Sequence, residues 1–214
     1  MKRRDFSLQL AAAGLGTAWA GAAAAQGGPV EGKHYTKLAQ PVPVSVPAGK
    51  IEVLEFFSYG CPHCYALEPT LEGWAKKLPP DVVLKRVPVG FNALYENYQK
   101  IYYALEAMGQ LEPMHRKVFE AVHQHRQRLD KEAEIVAFMN ANGVDGSKFL
   151  ELYKSFTVQS KVRQAKQLAD SYKIDGVPTM AVQGRYTTSG SLAGSNERAL
   201  AVTDALVQNV RKPG

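Results

Sequence analysis

The chain reads as an α/β protein in which a strand, helix, strand unit and a strand, strand, helix unit bracket an inserted run of helices. Three observations predict this. "IEVLEFF" (51–57) and "DVVLKRVPV" (81–89) are near-continuous runs of β-favouring residues joined by a single helical segment. From about 92 to 173 the apolar residues recur instead at spacings of three and four. "GVPTMAVQGRYTTSG" (176–190) then holds two short strands that turn at Gln183-Gly184, ahead of a last amphipathic segment.

The opening stretch, "MKRRDFSLQLAAAGLGTAWAGAAAAQ", has a basic start, a weakly apolar middle and small residues at its end, the layout of an export signal over residues 1–25. Ala23 and Ala25 satisfy the small-x-small rule for cleavage after Ala25, and the run is too short and glycine-rich for a membrane span. Arg3-Arg4-Asp5-Phe6 resembles a twin-arginine motif, and an ordinary secretory signal with adjacent basic residues is the alternative. Without this segment the formal charge falls from +6 to +4. Lysines and arginines alternate with acids along helical stretches, which excludes a nucleic-acid footprint, and "HQHRQR" (123–128) is the sole local basic cluster. A mature chain of about 190 residues buries a sizeable core without covalent staples.

Residues 26–50, rich in Pro, Gly and Val, suit an extended arm with at most a short edge strand. Residues 51–91 form the first α/β part. There "IEVLEFF" is the buried central strand, and "DVVLKRVPV" is its neighbour. The helix between them begins at Pro62, a residue suited to the first helical position, and shows Leu67, Leu71, Trp74 and Leu78 on one face. Residues 92–173 predict four or five packed helices. Residues 174–214 complete the α/β part with two strands and "SNERALAVTDALVQNV", capped by Ser195 or Asn196.

The two cysteines of the chain, Cys61 and Cys64, stand one helical turn apart where the central strand gives way to its helix. Thiolates attack disulfides, so a redox cysteine needs a place that stabilises negative charge. A helix start is such a place, because its unpaired N–H groups and the positive end of its dipole converge there. Cys61 falls at the N-cap and is expected to be the exposed nucleophile, with Cys64 covered in the first turn and His63 adding a favourable charge or dipole. A structural disulfide across so short a loop would stabilise little. A zinc half-site would need two more ligands, and His123 and His125, two residues apart, point to different helix faces.

"VLEFFSYGCPHCY", together with the later "GVPT", resembles the DsbA family of periplasmic thiol:disulfide oxidases, and the similarity runs from "EGKHYTKL" to the last helix. It implies a thioredoxin fold with an inserted helical domain. It also implies a catalytic set of Cys61, Pro62, His63 and Cys64, with Pro178 as a cis proline beside the thiols and Glu55 as a buried acid that relays a proton for the inner cysteine. From the residues alone Pro178 could equally be an ordinary trans proline, and Glu55 a partner for Lys85 on the neighbouring strand. Val177, Met180 and Leu192 are the expected peptide-groove residues, Val177 by strand addition. Glu68 matches a family acid, although an exposed helix glutamate is the simpler account, and Pro69 is read as a structural kink. His115, His123, His125 and the tyrosines Tyr95, Tyr98, Tyr102 and Tyr103 are expected on helix surface or in core.

The resulting expectation is a monomeric periplasmic oxidase that donates the Cys61-Cys64 disulfide to reduced exported proteins. It would need no metal or organic cofactor and would be reoxidised by a DsbB-like membrane quinone-linked oxidase. A reductase or isomerase on the same fold is the nearest rival, and the arm at 26–50 leaves no room for the dimerisation domain that isomerases usually add. A peptide-binding module that does not use its thiols is the second rival; it would keep its activity after alkylation of Cys61.

Overall fold

The structure is a computed structural model and describes residues 28–211. The expected export signal and its cleavage point lie outside the described residues. In chain order the elements are β1 (Thr36–Lys37), β2 (Ile51–Phe57), α1 (Pro62–Ala75), β3 (Val82–Pro88), α2 (Ala93–Ala107), α3 (Leu111–His123), α4 (Glu132–Ala141), α5 (Gly146–Lys154), α6 (Phe156–Ser171), β4 (Thr179–Val182), β5 (Tyr186–Ser189), α7 (Gly190–Ala193) and α8 (Asn196–Arg211). The strands form one sheet in the order β1-β5-β4-β2-β3. β2 and β3 are parallel, as a helical crossover requires, whereas β4 pairs antiparallel with β2, and β5 with β4.

Every residue of β2 is buried, which explains its unbroken apolar character and makes its two acids, Glu52 and Glu55, costly unless they are partnered. One face of the sheet packs Val53, Met180 and Val182 against Leu67 and Leu71 of α1 and Leu200 and Leu206 of α8. Leu54, Phe56, Val87 and Ala181 meet Ala165, Ala169 and Tyr172 on the other side. Phe56 and Phe57 have no exposed surface, and burying a side chain of that size contributes ~1.5–3 kcal/mol. Phe57 and the two cysteines adjoin a third core, built mainly from α2, α3, α4 and α5 around Ile101, Leu105, Phe119 and Phe149. The helices between β3 and β4 therefore pack a floor directly beside the start of α1.

Local chemistry sets the boundaries. Asn92, Asp145 and Ser155 cap α2, α5 and α6 through side-chain oxygens, and the Ser195 hydroxyl accepts from Arg198 N at 3.1 Å at the head of α8. The hairpin between β4 and β5 turns on Gln183 (φ 50°) and Gly184 (φ 64°), the left-handed pair a two-residue turn requires. Gly184 is also crowded: a Cβ there would meet the Val42 carbonyl, the group beside the Val42 N–H that donates to Gly184 O at 2.8 Å. The short helix α7, capped by Ser189, is an element the periodicity did not reveal. Trp74 Nε1 donates to Asp204 at 2.9 Å and ties α1 to α8.

Candidate active site

After β2 the chain turns through Ser58, Tyr59 and Gly60, and Cys61 N donates to Ser58 O at 3.0 Å. Gly60 is required by close approach, since a Cβ would stand 2.6 Å from a ring carbon of Tyr95 and 2.8 Å from one of Tyr98. The turn delivers Cys61 in extended geometry (φ −92°, ψ 116°) as the N-cap of α1, with Pro62 at the first helical position. Cys61, expected to be exposed, is buried with only 6% of its surface open because the turn before it and the Val177 carbonyl cover it; Cys64 is fully covered, and Pro62 and His63 lie at the surface. Both cysteines are thiols here.

Cys64 N donates to Cys61 Sγ at 3.4 Å, and in the thiol form Cys61 Sγ donates to the Val177 carbonyl at 3.3 Å. The carbonyl is a partner for the thiol only, whereas the amide favours the thiolate. The hydrogen bond from the Cys64 side chain, the N–H groups of Cys64 and His63 and the charge of His63 outweigh burial and bring the Cys61 pKa from 9.0 down to about 6. Cys64 moves the other way. Burial, the bond to Cys61 and the charges of Cys61 and Glu55 hold its thiol well above the ordinary range. The Val177-Pro178 peptide bond is cis, with Val177 half-buried and Pro178 buried.

Behind the cysteines lies a buried ionic cluster. Arg86 of β3 donates through Nε to Glu55 Oε2 and through Nη2 to Glu68 Oε2, both at 3.1 Å. Glu68 Oε1 meets His115 Nε2 at 3.2 Å, and His115 Nδ1 meets the Tyr59 hydroxyl at 2.7 Å. Burial and the Glu68 charge raise the Glu55 pKa to about 8 against the pull of Arg86, and Glu55 Oε1 is a buried oxygen with no hydrogen-bond partner among the described residues. Burial alone would raise Glu68 as well, but His115 and Arg86 together draw it below the usual carboxylate range. Arg86 and His115 also line a cleft of about 980 Å³ shared with α1, α2, α3 and α6.

Several expectations change here. Glu55 does not pair with Lys85: residue 85 stands opposite Leu54 and residue 86 opposite Glu55, so the two-residue period turns Lys85 toward Glu52, 3.1 Å away, and Arg86 toward Glu55. Glu68 is buried and doubly bonded rather than an exposed helix acid, because α1 lays that face on the sheet. Met180 cannot line a peptide groove, since it stands opposite Glu55 and is 1% exposed in the core. Leu192, half-buried on α7, lines a shallow cleft of about 390 Å³ with Asp175, Thr179 and Ser189. Arg86, Tyr59 and His115 escaped sequence reading. A second charge in the apolar run "VVLKRVPV" marked the first, and a histidine inside the apolar stripe Met114, His115, Val118, Phe119 marked the last. His123 stacks on Tyr65 (centroids 5.0 Å apart) and donates to Tyr59 O at 2.8 Å, so it packs beside the site without reaching the thiols. His125 is exposed.

The family model for the DSBA-like thioredoxin domain matches residues 73–198. The thiol:disulfide interchange protein DsbA of Bordetella pertussis is 46% identical over 99% of this chain and 100% of its own length. The chain belongs to the DsbA family. The crystal structure of Pseudomonas aeruginosa DsbA superposes with a TM-score of 0.81 at 44% identity, covering 84% of this chain and 93% of that one. The oxidoreductase NmDsbA1 from N. meningitidis gives 0.73 at 31% identity, over 85% and 94% of the two chains. The fold is thus the thioredoxin-like DsbA fold with helices inserted between β3 and β4, and the protein is a thiol:disulfide oxidoreductase. The family's redox group is a disulfide, and among the described residues no cluster of three or more His, Cys, Asp or Glu is placed to hold a metal ion.

Proposed function

We propose that this DsbA-family protein works in the periplasm as a monomeric dithiol oxidase, donating a Cys61-Cys64 disulfide to reduced exported proteins. The observation that carries this reading is the opposite displacement of the two thiols at one helix start, Cys61 down to about 6 and Cys64 upward. Stabilising the Cys61 thiolate stabilises the reduced pair, which makes the disulfide a stronger oxidant. A substrate thiolate attacks Cys61 Sγ, the Cys61-Cys64 bond breaks, and Cys64 leaves and takes up a proton. A second substrate thiolate then attacks the substrate sulfur of the mixed disulfide and releases Cys61 as its thiolate. The substrate loses two electrons and the cysteine pair gains them.

Glu55 is the acid nearest in role to the Cys64 proton: it is buried, it keeps its proton up to about 8, and once ionised its charge raises the Cys64 thiol. Val177 offers backbone beside Cys61 for an extended peptide. A membrane quinone-linked partner then removes two electrons from the pair, with the Cys64 proton released as the Cys61-Cys64 bond re-forms, and the basic, alanine-rich start of the chain supports delivery to that compartment. The deciding experiment equilibrates the mature protein with glutathione buffers. A couple more oxidising than glutathione supports the oxidase, and a thioredoxin-like low potential turns the reading to a reductase. Cys61→Ser is expected to abolish dithiol oxidation and Cys64→Ser to accumulate mixed disulfides; full turnover in either variant would overturn the two-cysteine route.

A further inference from the structure

His115 sits on the buried face of α3, with ring centroids of Phe57 and Phe119 at 5.4 and 5.2 Å, and both of its nitrogens are committed. A carboxylate can only accept, so the proton on Nε2 is the one that points at Glu68. Among the described residues the fully buried Tyr59 hydroxyl has Nδ1 as its only partner, and Nδ1 without a proton accepts from it. One neutral tautomer therefore satisfies all three groups and adds no charge to the core. Burial keeps the Tyr59 hydroxyl protonated and so able to donate.

We propose that His115 is a positioning residue of the dithiol site: as the neutral Nε2–H tautomer, anchored by Tyr59, it fixes Glu68 and thereby sets how Arg86 is shared between Glu68 and Glu55. With His115 on Oε1 and Arg86 on Oε2, the Glu68 carboxylate has one orientation and engages one arm of the guanidinium. Among the described residues Glu55 receives only Arg86 Nε, and its other oxygen has no partner. That partial compensation leaves Glu55 protonated beside the cysteines. Without the His115 donor, Glu68 turns or takes a proton, Arg86 compensates Glu55 more fully, and Glu55 ionises. An anion at Glu55 repels the Cys61 thiolate and disfavours the reduced pair against the disulfide. Tyr102 of α2 stands 6.2 Å from this ring, and the cleft that His115 lines also holds Glu72 of α1, Arg86 of β3, Glu106 of α2, Glu112 and Arg116 of α3 and Lys161 of α6; among the described residues only Glu68 and Tyr59 bond to it.

The inference rests on Cys61-Cys64 being the redox pair, and its test separates the two. Wild type, His115→Leu and His115→Gln are equilibrated with glutathione, and Cys61 is titrated by thiolate absorbance. His115→Leu is expected to move the equilibrium about three- to tenfold toward the disulfide, a potential lower by ~15–30 mV, and to raise the Cys61 pKa. His115→Gln, whose amide can still donate to Glu68, returns both toward wild type. On a Glu68→Gln background His115→Leu adds nothing further, because its route is gone. An unchanged equilibrium and titration in His115→Leu, or an additive shift on that background, overturns the proposal. Should His115→Leu fail to fold, ring nitrogen shifts of the wild type decide: the Nε2–H tautomer supports it, and an Nδ1–H or cationic ring overturns it. A wild type with no thiolate transition that Cys61→Ser removes would overturn the redox reading, and this inference with it.

Discussion

The Cys61 shift makes the stability of the reduced protein depend on pH in a calculable way. Cys61 keeps its proton to 9.0 when unfolded and loses it at about 6 when folded, so between those values the unfolded chain binds more protons and stability rises with pH. The slope is roughly 1 kcal/mol per pH unit and the whole interval is worth about 4 kcal/mol, present above the unfolded value and lost as pH falls through the folded one. At pH 7 this corresponds to about tenfold in the folding equilibrium. Glu55 works in the opposite sense, since its folded pKa is raised to about 8, but burial and the Glu68 charge dominate that rise and the Cys61 charge is its smallest cause, so most of it cancels between the redox forms. The clean quantity is therefore the difference between reduced and oxidised protein. Urea unfolding of both forms at pH 6, 7 and 8, followed by tryptophan fluorescence, should show the reduced form gaining on the oxidised form by roughly 1 kcal/mol at each step. Cys64, displaced upward, enters only above its ordinary value of 9.0 and does not disturb that window. Stabilities that run parallel across the window would refute the claim that the helix start stabilises the Cys61 thiolate.

Three further outcomes follow from the same geometry. In the oxidised protein, wild type should lose stability relative to Glu55→Gln as pH rises from 4.5 to about 8, because a raised acid pKa contributes stability that disappears through the folded value; unfolding curves across that range would show no divergence if Glu55 were ionised throughout. His63→Ala removes a charge beside Cys61 but not the N–H of residue 63, so the Cys61 pKa should rise while staying below 9.0, as read from the pH dependence of alkylation rate. Leu206→Ala, in the core between α8 and the sheet, should cost ~2–5 kcal/mol in denaturant unfolding and leave the glutathione equilibrium where it was.

The sheet, the crossover helix and the helical insertion were legible because each rests on periodicity or on turn residues. "IEVLEFF" has no polar alternation since both its faces are covered, and Gln183-Gly184 marks a two-residue turn. The thiols were legible too, as their spacing from Pro62 places one at a helix cap and the other within the first turn. The partners of the acids were not. Whether Lys85 or Arg86 faces Glu55 depends on a one-residue register between β2 and β3, to which the individual hydrophobic patterns are blind. Glu68 looked solvated because α1 seemed to bury only its leucines, whereas an arginine from β3 and a histidine from α3 converge on it. His115 becomes a member of the site only when α3 is laid against α1, a tertiary fact carried by the inserted helices. Met180 shows the converse: expected in the groove, it stands opposite Glu55 in a strand covered on both faces and is buried in the core.

Two chemically identical thiols separated by two residues end on opposite sides of their ordinary pKa, and that asymmetry governs the fate of the mixed disulfide on the proposed route. The complex can collapse in two ways. Cys64 can attack Cys61 and return the substrate unchanged, or a second substrate thiol can attack the substrate sulfur and leave with a new disulfide. The first requires a Cys64 thiolate, which burial and the neighbouring Glu55 suppress. The second expels Cys61, whose low pKa makes it the better leaving group. Spacing alone would not choose between them, because the same pair placed in mid-helix would lack both the free N–H groups at Cys61 and the contrast in cover at Cys64. The choice comes from Cys61 lying at the cap, Pro62 fixing the first helical residue, and the floor beneath Cys64 holding an acid that keeps its proton.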